Sequence, residues 1–218
     1  MKTLVKHPMA TRFRGYYPVV VDVETGGLDP KVHALLEIAA APLTLNAEGK
    51  LSVLGLHQFH ILPDPQCLID PSSLKINKIN LEEHQTYALP EALALRKLFG
   101  LIRTAMKAHG CQRSILVGHN AAFDLSFMKA GAERQHLKRS PFHPFCVIDT
   151  VGLSALVYGQ TTLQTACETA GIPFNKEEAH RAQYDTEKTA ALLCAIDQKL
   201  NVHINHQNDH GTLLQTDK

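Results

Sequence analysis

The sequence predicts an α/β fold: a mixed five-stranded sheet, built as a three-strand antiparallel meander plus parallel strands, flanked by helices. Three observations predict it. Val19-Val20-Val21 is a continuous β-branched run, the pattern of a strand covered on both faces. Two further apolar stretches, Leu35 to Leu45 and Leu51 to Ile61, are joined by Asn46-Ala47-Glu48-Gly49, which has the turn chemistry of a hairpin. Beyond them, short apolar strands alternate with helical periodicity, the arrangement that packs helices onto a sheet.

Taken in order, residues before Phe13 read as a loose arm. The first strand, from Tyr17, ends at Gly26-Gly27, where the backbone can turn close to a ligand. Residues 65–90 are punctuated by proline and asparagine, which predicts short helical turns and a segment suited to substrate contact. From Glu91 to His109 the stripe Leu95, Leu98, Phe99, Ile102 and Met106 predicts a helix, with Gly110 as its cap. Ser114 to Val117 is a strand, Ala121 to His136 a helix, and Phe145 to Asp149 a strand after the Pro141–Pro144 corner. Helices are expected at Thr150–Tyr158, Leu163–Ala170 and 178–200, with a polar, disordered tail from Asn201. Without internal repeat or linker, residues 1–218 read as one domain with an ordered core over 12–200.

A composition of 44% hydrophobic and 20% charged residues is that of an ordinary globular protein. No apolar run approaches membrane-spanning length, and the first residues lack the apolar core of a signal peptide. The five cysteines are scattered and never spaced C-x-x-C. That pattern argues for a reducing, cytoplasmic setting, and against a disulfide framework or a zinc site. The net charge is only +1, yet cations gather at Arg12 and Arg14, from Arg96 to Arg113, and at Arg134, Lys138 and Arg139. Such runs fit a solvated face or a phosphate-tracking surface.

Three clusters carry chemistry. Asp22 and Glu24 stand two residues apart on the first strand, so their carboxylates point the same way. Alone, the pair also fits a solvent-rimmed strand end. Held close, like charges call for a divalent cation with oxygen ligands. Asp124 lies in the first turn of a helix after a strand, where it can join those acids or simply favour the helix dipole. Asp185 heads the inward stripe Asp185, Thr189, Leu192, Ile196. His180, five residues earlier, can converge with Asp185 only from a loop before the helix.

Asp22-x-Glu24, then Gly118-His119-Asn120-x-x-Phe123-Asp124, then His180-x4-Asp185 together resemble the DEDDh exonuclease family. The resemblance implies a ribonuclease H-like fold and removal of nucleotides from 3′ ends with two Mg²⁺ ions, for which Mn²⁺ can substitute. It implies Asp22, Glu24, Asp124 and Asp185 as metal ligands and His180 as general base. Arg12-Phe13-Arg14-Gly15-Tyr16-Tyr17-Pro18, the run Ala34 to Ala40, Lys138 to Phe145 and Ala179-His180 are similar to the ribonuclease T branch, across roughly Arg12 to Leu193. That branch implies trimming of single-stranded 3′ ends of transfer RNA and other structured RNAs, action on single-stranded DNA, a homodimer and no membrane. Its base-stacking aromatic positions fall here on Leu28, Ile76, Phe123 and Phe145, of which two remain aromatic. Phe123 and Phe145 also fit core packing. Ser72 stands where the branch carries a glutamate, which puts its base discrimination in question. Arg12, Arg14, Lys107, Arg113, Lys138 and Arg139 correspond to residues that hold RNA entering the other subunit's site. The remaining readings are a DNA-directed proofreading exonuclease of the same family and a non-catalytic nucleic-acid-binding module. The intact set of four acids and a histidine disfavours the latter.

Overall fold

The structure is a computed structural model that describes residues 7–211, with side chains through residue 200. Expectations for residues 1–6 and 212–218 lie outside the described residues. The strands are β1 (Tyr16–Thr25), β2 (Leu35–Leu45), β3 (Leu51–Val53), β4 (His57–Leu62), β5 (Leu89–Pro90), β6 (Arg113–Gly118) and β7 (Phe142–Asp149). They form one sheet in the order β5-β4-β2-β1-β6-β7, with β3 beside β2. β2 runs antiparallel to β1, β3 and β4, whereas β1, β6 and β7 are mutually parallel.

The mixed sheet is of the expected kind, but it has seven strands rather than five. The single strand expected over Leu51 to Ile61 is interrupted at Leu54-Gly55-Leu56. Leu43 pairs with Val53 and Ala40 with His57, so four steps on one strand oppose three on the other. One extra residue of this kind is a bulge, and it divides the strand into β3 and β4. The other addition is the two-residue β5, parallel to Ile61–Leu62.

The helices are α1 (Pro8–Arg12), α2 (Pro71–Asn77), α3 (Leu81–His84), α4 (Glu91–Ala108), α5 (Ala121–Arg134), α6 (Thr150–Tyr158), α7 (Leu163–Thr169) and α8 (Ala182–Gly211). α1 replaces the expected loose arm: the His7 ring accepts from the Met9 N–H, Pro8 occupies the first turn, and Met9 is fully buried. β7 begins at Phe142, so the proline corner after Pro141 lies inside it. A register shift between Ser114 and Leu116 absorbs the extra length. α8 starts at Ala182 because His180 takes a left-handed φ of 63°, and its backbone runs to Gly211.

Val19, Val20 and Val21 are all buried, so both faces of β1 are covered. α8 packs against β1 and β2, while α4 contributes Leu95, Leu98, Phe99, Ile102 and Met106 to the main core. Among the described residues, no helix is long and apolar enough to cross a membrane.

Candidate active site at the carboxyl end of the first strand

β1 outruns its parallel neighbour. Pairing with β6 ends at Val20 opposite Val117, while β1 continues to Thr25 with β2 on one side only. The Val23 N–H, left without a strand partner on the open side, donates to Asp124 Oδ1 at 3.0 Å. One hydrogen bond thus ties the head of α5 to the strand that carries Asp22 and Glu24.

The turn before α5 is shaped for this contact. Asn120 adopts a left-handed φ of 76°. Its N–H and that of Ala121 donate to the Asp149 carboxylate at 3.2 and 3.1 Å. Asp149 also caps α6 through the Val151 N–H, at 2.9 Å. A Cβ at Gly118 would stand 3.0 Å from Ala121 Cα and 3.1 Å from Asp124 Oδ2, so a side chain there would press on the head of α5.

From α8, Asp185 completes the cluster: carboxylate oxygens of Asp22, Glu24 and Asp185 lie within 4.8 Å of one another. His180 sits on the left-handed turn before α8, exposed, and its N–H donates to Asp185 Oδ2 at 3.1 Å. That turn is what a five-residue spacing needs for convergence. A cavity of about 240 Å³ is lined by all four acids, His180, Leu28, Ile76, Asn77 and Phe123.

Burial and mutual repulsion govern the acids. Asp22 is pushed well above the ordinary carboxylate range by burial first, then by Asp124, Glu24 and Asp185. Glu24 rises to about 8, by burial and then by Asp185 and Glu37. Burial lifts Asp124 to about 8 against the hydrogen bond from Val23, and burial raises Asp185 as well. No lysine or arginine lines the cavity among the described residues, and Asp185 Oδ1 is buried without a hydrogen-bond partner. Four oxygen-rich groups, crowded and uncompensated, fit divalent cations.

The Exonuclease family model matches residues 19–193, most of the chain. The chain belongs to this exonuclease family. Its fold is similar to that of E. coli exonuclease I in complex with a dT13 oligonucleotide, at 17% identity and a TM-score of 0.66, over 93% of this chain and 46% of that one. The zinc-ion-bound E. coli ExoI–ssDNA complex gives 17% identity and a TM-score of 0.67, over 93% and 45%. A moderately thermophilic exonuclease I from Methylocaldum szegediense gives 15% and 0.63, over 84% and 40%. At such identities the likeness is one of ribonuclease H-like fold, and the chain spans less than half the length of these relatives.

Within this exonuclease fold, Leu28 and Ile76 are 82% and 56% exposed at the cavity. Phe123 is half-buried, contacting Phe127 at 5.0 Å while lining the cavity. Phe145 does not line it. It is 78% exposed and meets the His143 ring edge-on at 4.5 Å, so it is not a core residue. Arg12 is engaged by the Asp197 carboxylate and by the Gly49 carbonyl at 2.9 Å. Arg14 lies over Tyr16, 5.5 Å from the ring centre. Lys107, Arg113, Lys138 and Arg139 are exposed. All six cations sit where the parallel strands begin, since Tyr16 pairs with Arg113 and Ser114 with Phe142. Asp22 is six strand residues further on, roughly 20 Å away at about 3.3 Å per residue.

Sequence reasoning missed Asp149, Asn77 and Glu37. Asn77 Nδ2 donates to the Thr25 carbonyl at 3.2 Å, and Asn77 favours the ionised form of Glu24 against its burial. Glu37 lies directly opposite Glu24 on β2. Only its place within the run Ala34 to Ala40 could have drawn notice, because a carboxylate in an otherwise apolar strand needs partners.

Proposed function

We propose that this chain is a 3′→5′ exonuclease that trims single-stranded 3′ ends of transfer RNA and other structured RNAs. It would act on single-stranded DNA as well, releasing nucleoside 5′-monophosphates by two-metal hydrolysis. The observation that carries this reading is the convergence of the four acids, His180 and the apolar side chains of Leu28, Ile76 and Phe123 on one cavity. Asp22, Glu24, Asp124 and Asp185 would hold two divalent ions. Mg²⁺, with Mn²⁺ as substitute, would supply charge neutralisation at the scissile phosphate and a more acidic water.

The side chains divide the remaining work. His180 accepts the proton of the attacking water, and its exposure lets that proton pass to solvent. The backbone hydrogen bond to Asp185 holds its turn in place. Leu28, Ile76 and Phe123 receive the terminal bases. Base–aromatic stacking is worth about 1–3 kcal/mol per base, and Leu28 and Ile76 offer no π-face, so terminal gripping is weaker than on an all-aromatic platform.

Likeness of the segments Arg12–Pro18 and Lys138–Phe145 to the ribonuclease T branch favours RNA. In a homodimer, the cations at the far end of the sheet would hold RNA entering the other subunit's site. A second reading, a DNA-directed exonuclease, draws on the exonuclease I structures bound to dT13 and dA16 oligonucleotides.

The test is digestion of a 5′-labelled duplex with a short 3′ tail, as RNA and as DNA, with Mg²⁺. Stepwise shortening that stalls near the duplex, and falls by at least about 100-fold in Asp22→Asn and His180→Ala, is expected. Shortening of the DNA tail alone would establish the second reading. Shortening from the 5′ end, or none, would overturn both.

A further inference from the structure

We propose that Glu37, His60 and His84 form a second metal site, separate from the four acids, that takes one zinc-class divalent ion. Glu24, Glu37 and His60 are consecutive register partners across β1, β2 and β4, so their side chains share one face of the sheet. α3 brings His84 onto the end of that row. One oxygen or nitrogen from each of Glu37, His60 and His84 lies within 4.8 Å of the others. Glu37 Oε1 is 3.0 Å from His60 Nδ1 and 3.9 Å from His84 Nδ1. Ligand atoms around a tetrahedral ion with bonds of about 2.0–2.1 Å stand roughly 3.4 Å apart, so the trio needs only small adjustment.

The hydrogen bonds around the trio already match a metal site. His84 is 1% exposed, and its Nε2 donates to the Ile61 carbonyl at 3.0 Å. A carbonyl can only accept, so in the neutral ring Nδ1 carries a bare lone pair. That Nδ1 is buried and has no hydrogen-bond partner, although it faces a carboxylate. An imidazole that donates one nitrogen to a backbone carbonyl and aims the other at a carboxylate has the tautomer and orientation of a ligand. Gln58 Nε2 occupies the other oxygen, Glu37 Oε2, at 3.1 Å, which leaves Oε1 for the imidazoles.

The donor set selects the ion. Two imidazole nitrogens with one carboxylate suit zinc and its first-row neighbours, whereas Mg²⁺ takes oxygen ligands and keeps its waters. The trio lines a cavity of about 350 Å³ with Asn77 and Arg181, so a ligand or water can reach a fourth position. Binding would displace the His60 Nδ1 proton, which His60, half-exposed, can carry on Nε2 toward solvent. Joined to β2, β4 and α3, the ion would pin α3 to the sheet beside the catalytic cavity, with which this one shares Asn77.

The test isolates this site by disabling the other. The Asp22→Asn/Asp185→Asn protein, stripped with chelator, is titrated with Zn²⁺ in excess Mg²⁺ by calorimetry and with Co²⁺ by visible absorption. One ion per chain is expected, with d–d bands of tetrahedral nitrogen–oxygen ligation. His60→Ala and His84→Gln added to that background should each weaken Zn²⁺ binding by on the order of 100-fold. His60 is half-exposed, so its variant decides the matter if His84→Gln fails to fold. Absence of Zn²⁺ uptake in the double variant, or uptake unchanged by His60→Ala, would overturn the proposal and leave an ordinary ion-pair network.

Discussion

At the residue scale, the clustered acids lie in a conflict that a bound cation or bound protons relieve. Glu24 and Asp124 are raised to about 8, chiefly by burial, from a value near 4 in the unfolded chain. The metal-free fold therefore holds these protons more tightly than the unfolded chain does. That contribution to stability is complete below about pH 4 and is lost as pH rises through the folded values. In chelator, Tm should fall between pH 5 and pH 9. Even one pH unit of differential ionisation is about 1.4 kcal/mol, or about 3–6 °C for a domain of this size. The increment from Mg²⁺ should grow with pH, because only ionised carboxylates bind it well. Asp185→Asn should flatten the chelator curve. A pH-independent Tm in chelator would show that the acids do not titrate against folding.

At the element scale, the site exists because β1 is longer than β6 and α5 is held against the overhang. Asp149 is the joint: it meets the head of α5 through two N–H groups and caps α6 with a third. Capping interactions contribute about 0.5–2 kcal/mol each. Asp149→Ala should cost about 1–3 kcal/mol in chemical denaturation. It should lower kcat by more than that loss of stability explains at a temperature where the variant is folded, because Asp124 rides on the displaced helix. A variant that is destabilised but fully active would show that the bond from Val23 alone positions Asp124. Much of this scale was legible in sequence: the helix stripe of α4, the Asn46–Gly49 turn and the strand limits of β2 all follow from local chemistry. The bulge between β3 and β4, the early start of β7 and the late start of α8 did not. Each is set by register or by one left-handed residue, and neither leaves a periodic trace.

At the scale of the whole molecule, the sheet separates the acid cluster from the cationic surface. Arg14, Lys107, Arg113, Lys138 and Arg139 cluster at the amino ends of the parallel strands, and the acids lie beyond the carboxyl ends. Replacing Lys138 and Arg139 with alanine should raise KM for a tailed RNA and reduce the salt slope of binding by about 0.7 per lost phosphate contact. Hydrolysis of a minimal dinucleotide should be unchanged. Equal losses on both substrates would place these cations in the folding of the chain rather than on the substrate path. Arg12, held by Asp197 and Gly49, should instead show its main effect on stability.

By itself the sequence determined the mixed α/β class, and it singled out the four acids and His180 with their order along the chain. These rest on residue type and spacing, properties that survive without coordinates. Tertiary structure alone decided what surrounds that set. It opposed Glu37 to Glu24 and His60, and it brought His84 from a short helix to the same face. It also put Phe145 in solvent and the cations at the far end of the sheet. Such outcomes depend on register and on pairings between residues distant in sequence. A one-residue slip in a strand moves a side chain to the opposite face, and no local pattern encodes which partner will wait there.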